Sequence, residues 1–332
     1  MIHPTNQSNL LINAHVLDAL DILAANSVQT VVTSPPYWGM RRYRKGMKCQ
    51  WPDKVNVPFG AEPTPELYVH RTREVLCRLK NCLRSDGIIW WNLGDTYFTR
   101  AILRESSSER LAAFEGRRKD KWVSAPLKRY SSGHQYLKDK DLTLMPFLIA
   151  HSAQQIGLWL RSVIIWEKEN HLPEPRIDRP VSSHEYILMF TKSKHYKWNY
   201  ARARERRMSD ESEERQLRTI WKMSTAGGKV GHPAMFPEEL VERCIQLSTR
   251  KKDVVLDPFV GSGTTALVAA RLGRSYIGVD IVREYLQLAS ERLKRQQAAG
   301  SPAESYKVER HGGNLIIQNL QSSSSRKRTN SL

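Results

Sequence analysis

The sequence predicts an α/β fold with a largely parallel sheet. Short apolar runs typical of buried strands alternate with longer segments of helical periodicity. One strand-to-helix junction, "DPFVGSGTTA", also carries the glycine spacing of a ligand-binding turn. With 332 residues, the chain is long enough for one large domain or two smaller ones with a sizeable core.

The first part of the chain supplies two predicted helix–strand pairs. "HVLDALDILAANS" has apolar residues at helical spacing, and "VQTVVTS" follows it as a buried strand. A second helix is predicted over residues 64–83, with Thr64 as its N-cap and Pro65 in its first turn. "SDG" then predicts a turn, and "IIWWNLGD" predicts a second buried strand that ends in a polar loop.

The alternation continues to residue 297. "MPFLIAHSAQQIGLWL" predicts an amphipathic helix, and "RSVIIWEK" and "HEYILMFTKS" predict strands. The remaining elements are the helix "FPEELVERCIQLST", the strand "DVVLDPF", the glycine turn with its helix, the strand "RSYIGVDI" and the helix "EYLQLASERLKRQQ". Residues 98–141 and 200–220 are charged and lack apolar periodicity, so we expect them to be insertions. A disordered polar tail is predicted from residue 298.

The composition indicates a soluble globular enzyme with a polyanionic partner. Hydrophobic residues make up 40% of the chain, and its net charge is +18. The four cysteines form no CxxC or Cys/His pattern, so we expect no disulfide framework and no metal site, and a reducing compartment fits. Neither a membrane span nor a signal peptide is predicted.

The glycine turn predicts a nucleotide-type ligand. Gly261-x-Gly263-x-x-Ala266 follows a strand and opens a helix, and Asp280 ends the next strand, where an acidic residue can bind ribose hydroxyls. A dinucleotide, a flavin and S-adenosylmethionine all fit this spacing. Asp257, just before the turn, would repel a pyrophosphate but would suit an ammonium and a sulfonium, which favours S-adenosylmethionine.

A second motif is the stretch "TSPPY", in which two prolines stiffen residues 34–37, here called the proline ledge. By itself, this pattern is typical of a strand end followed by a turn. If the ligand is a methyl donor, the Ser34 hydroxyl and the ledge carbonyls can accept hydrogen bonds from an exocyclic amino group. Tyr37 can stack on an extruded base, a contact worth about 1–3 kcal/mol.

"VTSPPY" and "LDPFVGSGTT" together resemble two hallmark motifs of the DNA amino-methyltransferases, in the beta order that places the catalytic motif first. The serine-headed motif is similar to the cytosine-N4 type, whereas adenine-N6 enzymes usually carry aspartate or asparagine there. Further blocks, including "LRSDGIIWWNLGD", "RPVSSHEYILMFTKS" and "GHPAMFPEELVERCI", extend the resemblance over residues 14–295. It implies a Rossmann-like class I S-adenosylmethionine-dependent methyltransferase fold with circularly permuted motif order and helices on both sheet faces.

The resemblance also implies the site residues. The target amino group would meet Ser34, Pro35, Pro36 and Tyr37. The cofactor would meet Asp257, Pro258, Phe259, Gly261, Gly263, Thr264, Thr265, Asp280, His232 and Phe236. Among the basic residues interleaved with aromatics, double-stranded DNA would meet Arg41, Arg42, Arg117, Arg118, Lys121, Lys128 and Arg129. Asn92 and Asp95 would lie near the site with no assigned chemistry.

The expected organisation has six parts. They are the start of the catalytic half (1–97), a charged insertion (98–141), the rest of that half (142–199), a variable segment (200–220), the cofactor-binding half (221–297) and the tail (298–332). Recognition of the target sequence could reside in either charged segment.

Three alternatives stay open at this stage: adenine-N6 methylation, a dinucleotide-dependent oxidoreductase, and a DNA-binding protein on an inactive methyltransferase fold. No nuclease motif is present, so a restriction endonuclease partner would be a separate chain. The oligomeric state is open. A bacterial or phage enzyme in the cytoplasm, associated with the nucleoid, is the default, and a nuclear location would follow from a eukaryotic host.

Overall fold

The protein, described by a computed structural model, consists of β-strands and α-helices. The structure describes residues 2, 9–39, 49–98, 134–171, 177–206, 214–225, 237–296, 304–311 and 314–319. The strands are β1 (Asn9–Asn13), β2 (Val28–Thr33), β3 (Leu83–Leu93), β4 (Trp159–Lys168), β5 (His184–Thr191), β6 (Arg204–Arg206), β7 (Glu214–Gln216), β8 (Ile220–Met223), β9 (Val254–Asp257), β10 (Ser275–Asp280), β11 (Glu304–His311) and β12 (Asn314–Asn319). The helices are α1 (Val16–Asp21), α2 (Pro65–Cys82), α3 (Met145–Gln155), α4 (Glu238–Ser248), α5 (Thr264–Arg271) and α6 (Arg283–Gln296).

Ten of these strands form one mixed sheet in the order β12-β11-β1-β10-β9-β2-β3-β5-β4-β8. The run from β11 to β3 is parallel, whereas β5 pairs antiparallel with both β3 and β4. Helices α1, α2 and α3 contribute to one hydrophobic cluster, and α4, α5 and α6 contribute to the other. Helices therefore cover both faces of the sheet, as the sequence predicts for this α/β fold.

Strands β2 and β9 lie side by side at a topological switch point. The chain leaves β9 through α5 to reach β10 on one side, and leaves β2 through α2 to reach β3 on the other. Connections that diverge in this way open a crevice at the carboxyl ends of the two strands, where ligands of open α/β sheets bind. The proline ledge follows β2 and the glycine turn follows β9, so both motifs meet at this crevice.

The helix over residues 64–83 illustrates how well local signals predict an element. Helix α2 spans Pro65–Cys82, and the Thr64 hydroxyl accepts a hydrogen bond from the Leu67 amide at 3.1 Å. Its buried face includes Tyr68, Val75 and Leu79. No helix within the described ranges has the length and apolarity needed to cross a membrane.

Two local expectations were wrong. "SDG" is not a turn between elements but lies inside β3, where a register irregularity against β2 absorbs it. The expected disordered tail contains β11 and β12, which extend the sheet beyond β1. Its sequence holds a Gly-Gly pair between two strand-like runs, "ESYKVERH" and "NLIIQN", a frequent hairpin signal that the surrounding serine-rich composition obscured.

Candidate functional site

The two motif-bearing strands are tied together by the buried carboxyl of Asp257. Its Oδ1 accepts a hydrogen bond from the Thr33 hydroxyl at 2.7 Å and from the Phe259 amide at 3.0 Å, and its Oδ2 accepts from the Thr265 hydroxyl at 2.7 Å. Asp257 is only 1% exposed, and burial raises its pKa to about 6. The carboxyl is therefore a latch between the ledge strand and the glycine turn, and its contact with a ligand ammonium stays a prediction.

The glycine turn is shaped to bring backbone close to a ligand. Gly261 and Gly263 have φ angles of 50° and 88°, in the left-handed region that favours glycine. A Cβ on Gly263 would lie 2.6 Å from the Cβ of Ala289, so α6 packs directly against the turn. The Arg292 guanidinium on α6 donates a hydrogen bond to the Ser262 carbonyl at 2.8 Å, which fixes the backbone of the turn.

Asp280 faces the glycine turn from the end of β10. Its carboxylate accepts hydrogen bonds from the Gly261 amide at 3.0 Å and the Val282 amide at 2.8 Å. Burial raises its pKa to about 7, and the charge of Asp257 adds to the effect. Part of Asp280 stays exposed, so ligand hydroxyl donors and a ligand cation can stabilise the ionised form.

These features fit S-adenosylmethionine. The accessible parts of the turn are Phe259 and Gly261, with Asp280 beside them, whereas the remaining predicted cofactor residues of this segment are buried and act by shaping it: Pro258, Gly263, Thr264 and Thr265. The Phe259 ring stacks on Phe59 with centroids 5.0 Å apart. No group of three His, Cys, Asp or Glu side chains in the described part of the chain could hold a metal ion.

The proline ledge is supported from below by the segment 49–62 and by α2. The Pro36 carbonyl accepts a hydrogen bond from the Tyr68 hydroxyl at 3.0 Å, which uses one of its two lone pairs and fixes its direction. Gly39 donates to the Gly60 carbonyl at 2.7 Å. A Cβ on Gly60 would lie 3.0 Å from the Pro36 carbonyl oxygen, and the φ of 87° at this residue also favours glycine. Pro35 and Pro36 therefore set the shape of the ledge.

The ledge hydroxyls belong to a polar cluster that sequence reasoning found only in part. The Tyr37 hydroxyl lies 3.1 Å from the Ser34 oxygen and donates to the Glu185 carboxylate at 2.5 Å. The Asn92 amide donates to Tyr37 and to Glu185, each at 2.8 Å. On the far side of the carboxylate, the Lys168 ammonium donates to Glu185 at 2.6 Å.

Glu185 and Lys168 were missed because they begin and end apolar strands and resemble ordinary solvated strand ends. Their position follows from how the strands pair. Strand β5 runs antiparallel to β3, so the amino end of β5 lies beside Asn92 and the ledge. Periodicity alone does not reveal that direction. Asp95, which the sequence left without a role, instead accepts hydrogen bonds from the Thr143 hydroxyl and the Met145 amide at the start of α3.

Gly94 lies against the ring of Tyr37. A Cβ on this residue would lie 3.1 Å from Tyr37 Cε2 and 3.5 Å from Glu185 Cγ. The glycine therefore lets the aromatic ring rest on the backbone after β3, and Tyr37 as a whole stays partly exposed.

Several sequence-predicted residues lie outside the described residues. They are the cofactor candidates His232 and Phe236 and the DNA-contact candidates Arg41, Arg42, Arg117, Arg118, Lys121, Lys128 and Arg129.

Comparison with known proteins gives consistent results. Residues 28–291 match the N6/N4 methyltransferase family, described as DNA methylase. The chain is 36% identical over 292 residues to the type II methyltransferase M.XycI of Xanthomonas campestris pv. cyanopsidis, which covers 88% of this chain and 90% of that protein. It is 34% identical over 284 residues to the type II methyltransferase M.Cfr9I of Citrobacter freundii, covering 86% and 87%.

A solved structure shares the fold. The protein TTHA0409 of Thermus thermophilus, crystallised with S-adenosyl-L-methionine, superimposes with a TM-score of 0.60 at 25% identity. The match covers 91% of this chain and 100% of that one.

Proposed function

Because the chain belongs to the N6/N4 family of S-adenosylmethionine-dependent DNA methylases, we propose that it methylates the exocyclic N4 of a cytosine flipped out of double-stranded DNA. Membership of this family rules out the alternative that the protein is a dinucleotide-dependent oxidoreductase. The observation that carries the base choice is the serine at the head of the ledge, placed at the switch-point crevice beside Tyr37 and Asn92. By resemblance, a serine head is typical of cytosine-N4 enzymes.

The residues divide the task as follows. When bound, the cofactor supplies an electrophilic methyl group on a sulfonium. The ledge supplies the acceptor for the target amino group, the Ser34 hydroxyl, and a ring on which the base can stack, Tyr37. The amino nitrogen is a weak nucleophile because its lone pair is conjugated with the ring. An acceptor on one N–H bond localises that lone pair for in-line attack. Flipping costs a few kcal/mol, which stacking and pocket hydrogen bonds offset.

The cysteines support nitrogen rather than carbon-5 as the methylated atom. Carbon-5 methylation needs a thiolate nucleophile, and burial raises the pKa of the Cys49 and Cys82 thiols to about 12. Burial also raises the pKa of Cys244, and Cys77 lies exposed on α2 away from the ledge. Direct transfer without a covalent intermediate fits this set.

The biological setting belongs to the same proposal. The two type II relatives named above come from bacteria, which supports a bacterial modification enzyme in the cytoplasm, working beside a separate restriction endonuclease. We assign the DNA contacts to Arg41 and Arg42 and to the charged segments 98–141 and 200–220, on their arginine, lysine and aromatic content.

The test is to identify the modified nucleoside. Unmethylated double-stranded DNA is incubated with the protein and S-adenosylmethionine, digested, and separated by chromatography with mass detection. We expect N4-methyldeoxycytidine, and none with Ser34→Ala run in parallel. Only 6-methyladenine would reject the cytosine assignment, whereas unmodified DNA from a protein that binds the cofactor would support an inactive DNA-binding protein. Sequencing the methylated DNA would then give the recognition site.

A further inference from the structure

Glu185 and Lys168 form a shielded ion pair directly behind the ledge. The Glu185 side chain is 13% exposed and that of Lys168 is 21% exposed, with 2.6 Å between Nζ and Oε1. They sit diagonally across the β4–β5 pair, on one face of the sheet. The second carboxylate oxygen, Oε2, faces the ledge and accepts from Tyr37 and Asn92. Neither partner was given a role in the transfer above.

The carboxylate determines which way the ledge hydroxyls point. An ionised carboxylate can only accept, so the single proton of Tyr37 must point to Glu185. The Tyr37 oxygen is then an acceptor, and the Ser34 hydroxyl, 3.1 Å away, donates its proton to it. The Ser34 oxygen keeps lone pairs for an incoming N–H donor. Without the carboxylate, the hydrogen bond between the two hydroxyls could reverse, with Tyr37 donating to Ser34. The Ser34 hydroxyl would then point its proton at the base.

We propose that Glu185, held by Lys168, is a positioning residue that sets the proton direction of the Ser34–Tyr37 pair and receives the proton released on methylation. The inference rests on the proposed amino-group methylation and deepens it. As the amino nitrogen bonds to the methyl carbon and the sulfur–carbon bond breaks, the nitrogen becomes cationic. It passes a proton to Ser34, Ser34 passes its own to Tyr37, and Tyr37 passes its own to Glu185. Both hydroxyls end unchanged, the carboxyl ends neutral and the donor sulfur ends as a neutral thioether.

The electrostatics agree with these two roles. Burial alone would raise the pKa of Glu185, but the charge of Lys168 and hydrogen bonds from Lys168, Tyr37 and Asn92 hold that pKa below its usual value. The carboxyl is therefore ionised at neutral pH, as the proton direction requires. It can still accept the released proton, because a protonated, ring-conjugated amine is a much stronger acid than a carboxylic acid.

The test compares Glu185→Gln with a matched control, Glu167→Gln. Glu167 also pairs with a lysine, Lys222 at 3.3 Å, but on the exposed side of β4. Methyl transfer is measured in a single turnover at saturating cofactor and DNA, with cofactor affinity by calorimetry and folding by thermal denaturation. We expect Glu185→Gln to lower the transfer rate about 100-fold or more while cofactor affinity holds. Glu167→Gln should keep the wild-type rate.

Two further variants separate chemistry from structure. Glu185→Asp keeps the negative charge and should recover part of the rate lost in the Gln variant. Lys168→Gln removes the charge and the hydrogen bond that most strongly oppose the effect of burial, so the pKa of Glu185 should rise and the acid limb of the pH–rate profile should move to higher pH. A structural role for Glu185 predicts neither change.

Three outcomes would overturn the inference. One is a wild-type transfer rate for Glu185→Gln. Another is a loss in that variant matched by an equal loss of cofactor affinity, and the third is an unmoved acid limb in Lys168→Gln. If the methyl group is found on adenine, the base choice fails, but the rate ratio still decides the role of Glu185. If wild-type protein transfers no methyl group to DNA, the proposed function fails and this inference fails with it.

Discussion

Replacing Gly94 by alanine tests how strictly the Tyr37 ring must be placed. The new Cβ would lie 3.1 Å from Tyr37 Cε2 and 3.3 Å from Cδ2, whereas ordinary contact begins at 3.4 Å. The ring must therefore move by about 0.3 Å, the difference between 3.4 and 3.1 Å. Because the Tyr37 hydroxyl bridges Ser34 and Glu185, this shift changes the geometry of both hydrogen bonds.

The expected loss follows from that displacement. A misplacement of about 1 Å at a reacting group costs on the order of 100-fold in rate, so about 0.3 Å corresponds to about fourfold if the logarithm scales with distance. The added methyl group should also lower the free energy of unfolding by about 1–3 kcal/mol, as overpacking does. Cofactor affinity should hold, since Gly94 lies on the ledge side of the crevice.

The assay is single-turnover methyl transfer with cofactor affinity measured alongside. Gly273→Ala is the control for lost stability: Gly273 has a φ of 70°, so alanine is strained there by about 1–2 kcal/mol, but the nearest atom lies 3.9 Å away and the ledge is untouched. It should lower the melting temperature and keep the transfer rate. A wild-type rate in Gly94→Ala, with its stability reduced, would refute the positioning role of this glycine.

Three further predictions concern the same crevice. The pKa of Asp280 is raised to about 7, so cofactor affinity measured by calorimetry should increase as pH rises through 7. Asp280→Asn should remove this pH dependence. Equal pH dependence in both proteins would contradict the assignment of Asp280 to the cofactor site. Raised pKa values of about 6 and 7 at Asp257 and Asp280 stabilise the ligand-free fold at low pH, and this contribution is lost as pH rises through 7, which thermal denaturation from pH 4 to 8 should show. Thr33→Val removes one donor to Asp257 and should lower the free energy of unfolding by about 1–3 kcal/mol by urea titration, whereas an unchanged value would remove the latch from the account.

The sequence predicts most of the fold because its signals are local. Thr64 and Pro65 mark the start of α2, and the glycine turn marks the junction of β9 and α5. Strands β1 and β8 and the small β6–β7 ribbon were not predicted, since each is short and gains its stability from neighbours remote in sequence.

The site was predictable where a motif carries it and not where strand pairing assembles it. Residues 34–37 and the glycine turn can be recognised from their amino-acid sequence alone. The role of Asp257 as a latch depends on Thr33, which is 224 residues away in the chain. Glu185 reaches the ledge only because β5 runs antiparallel to its neighbours, a direction that no local pattern encodes.

Strand β1 has a consequence for how the protein is made. Its neighbours in the sheet are β10 and β11, and Asn13 donates to the Asp280 carbonyl across 267 residues of sequence. During translation, this strand must wait for the far part of the chain before it can pair, as the ledge must wait for the glycine turn. Such long-range closure slows folding. A polypeptide whose synthesis stops midway therefore lacks the assembled crevice, and only a chain that includes β10 and β11 can complete it.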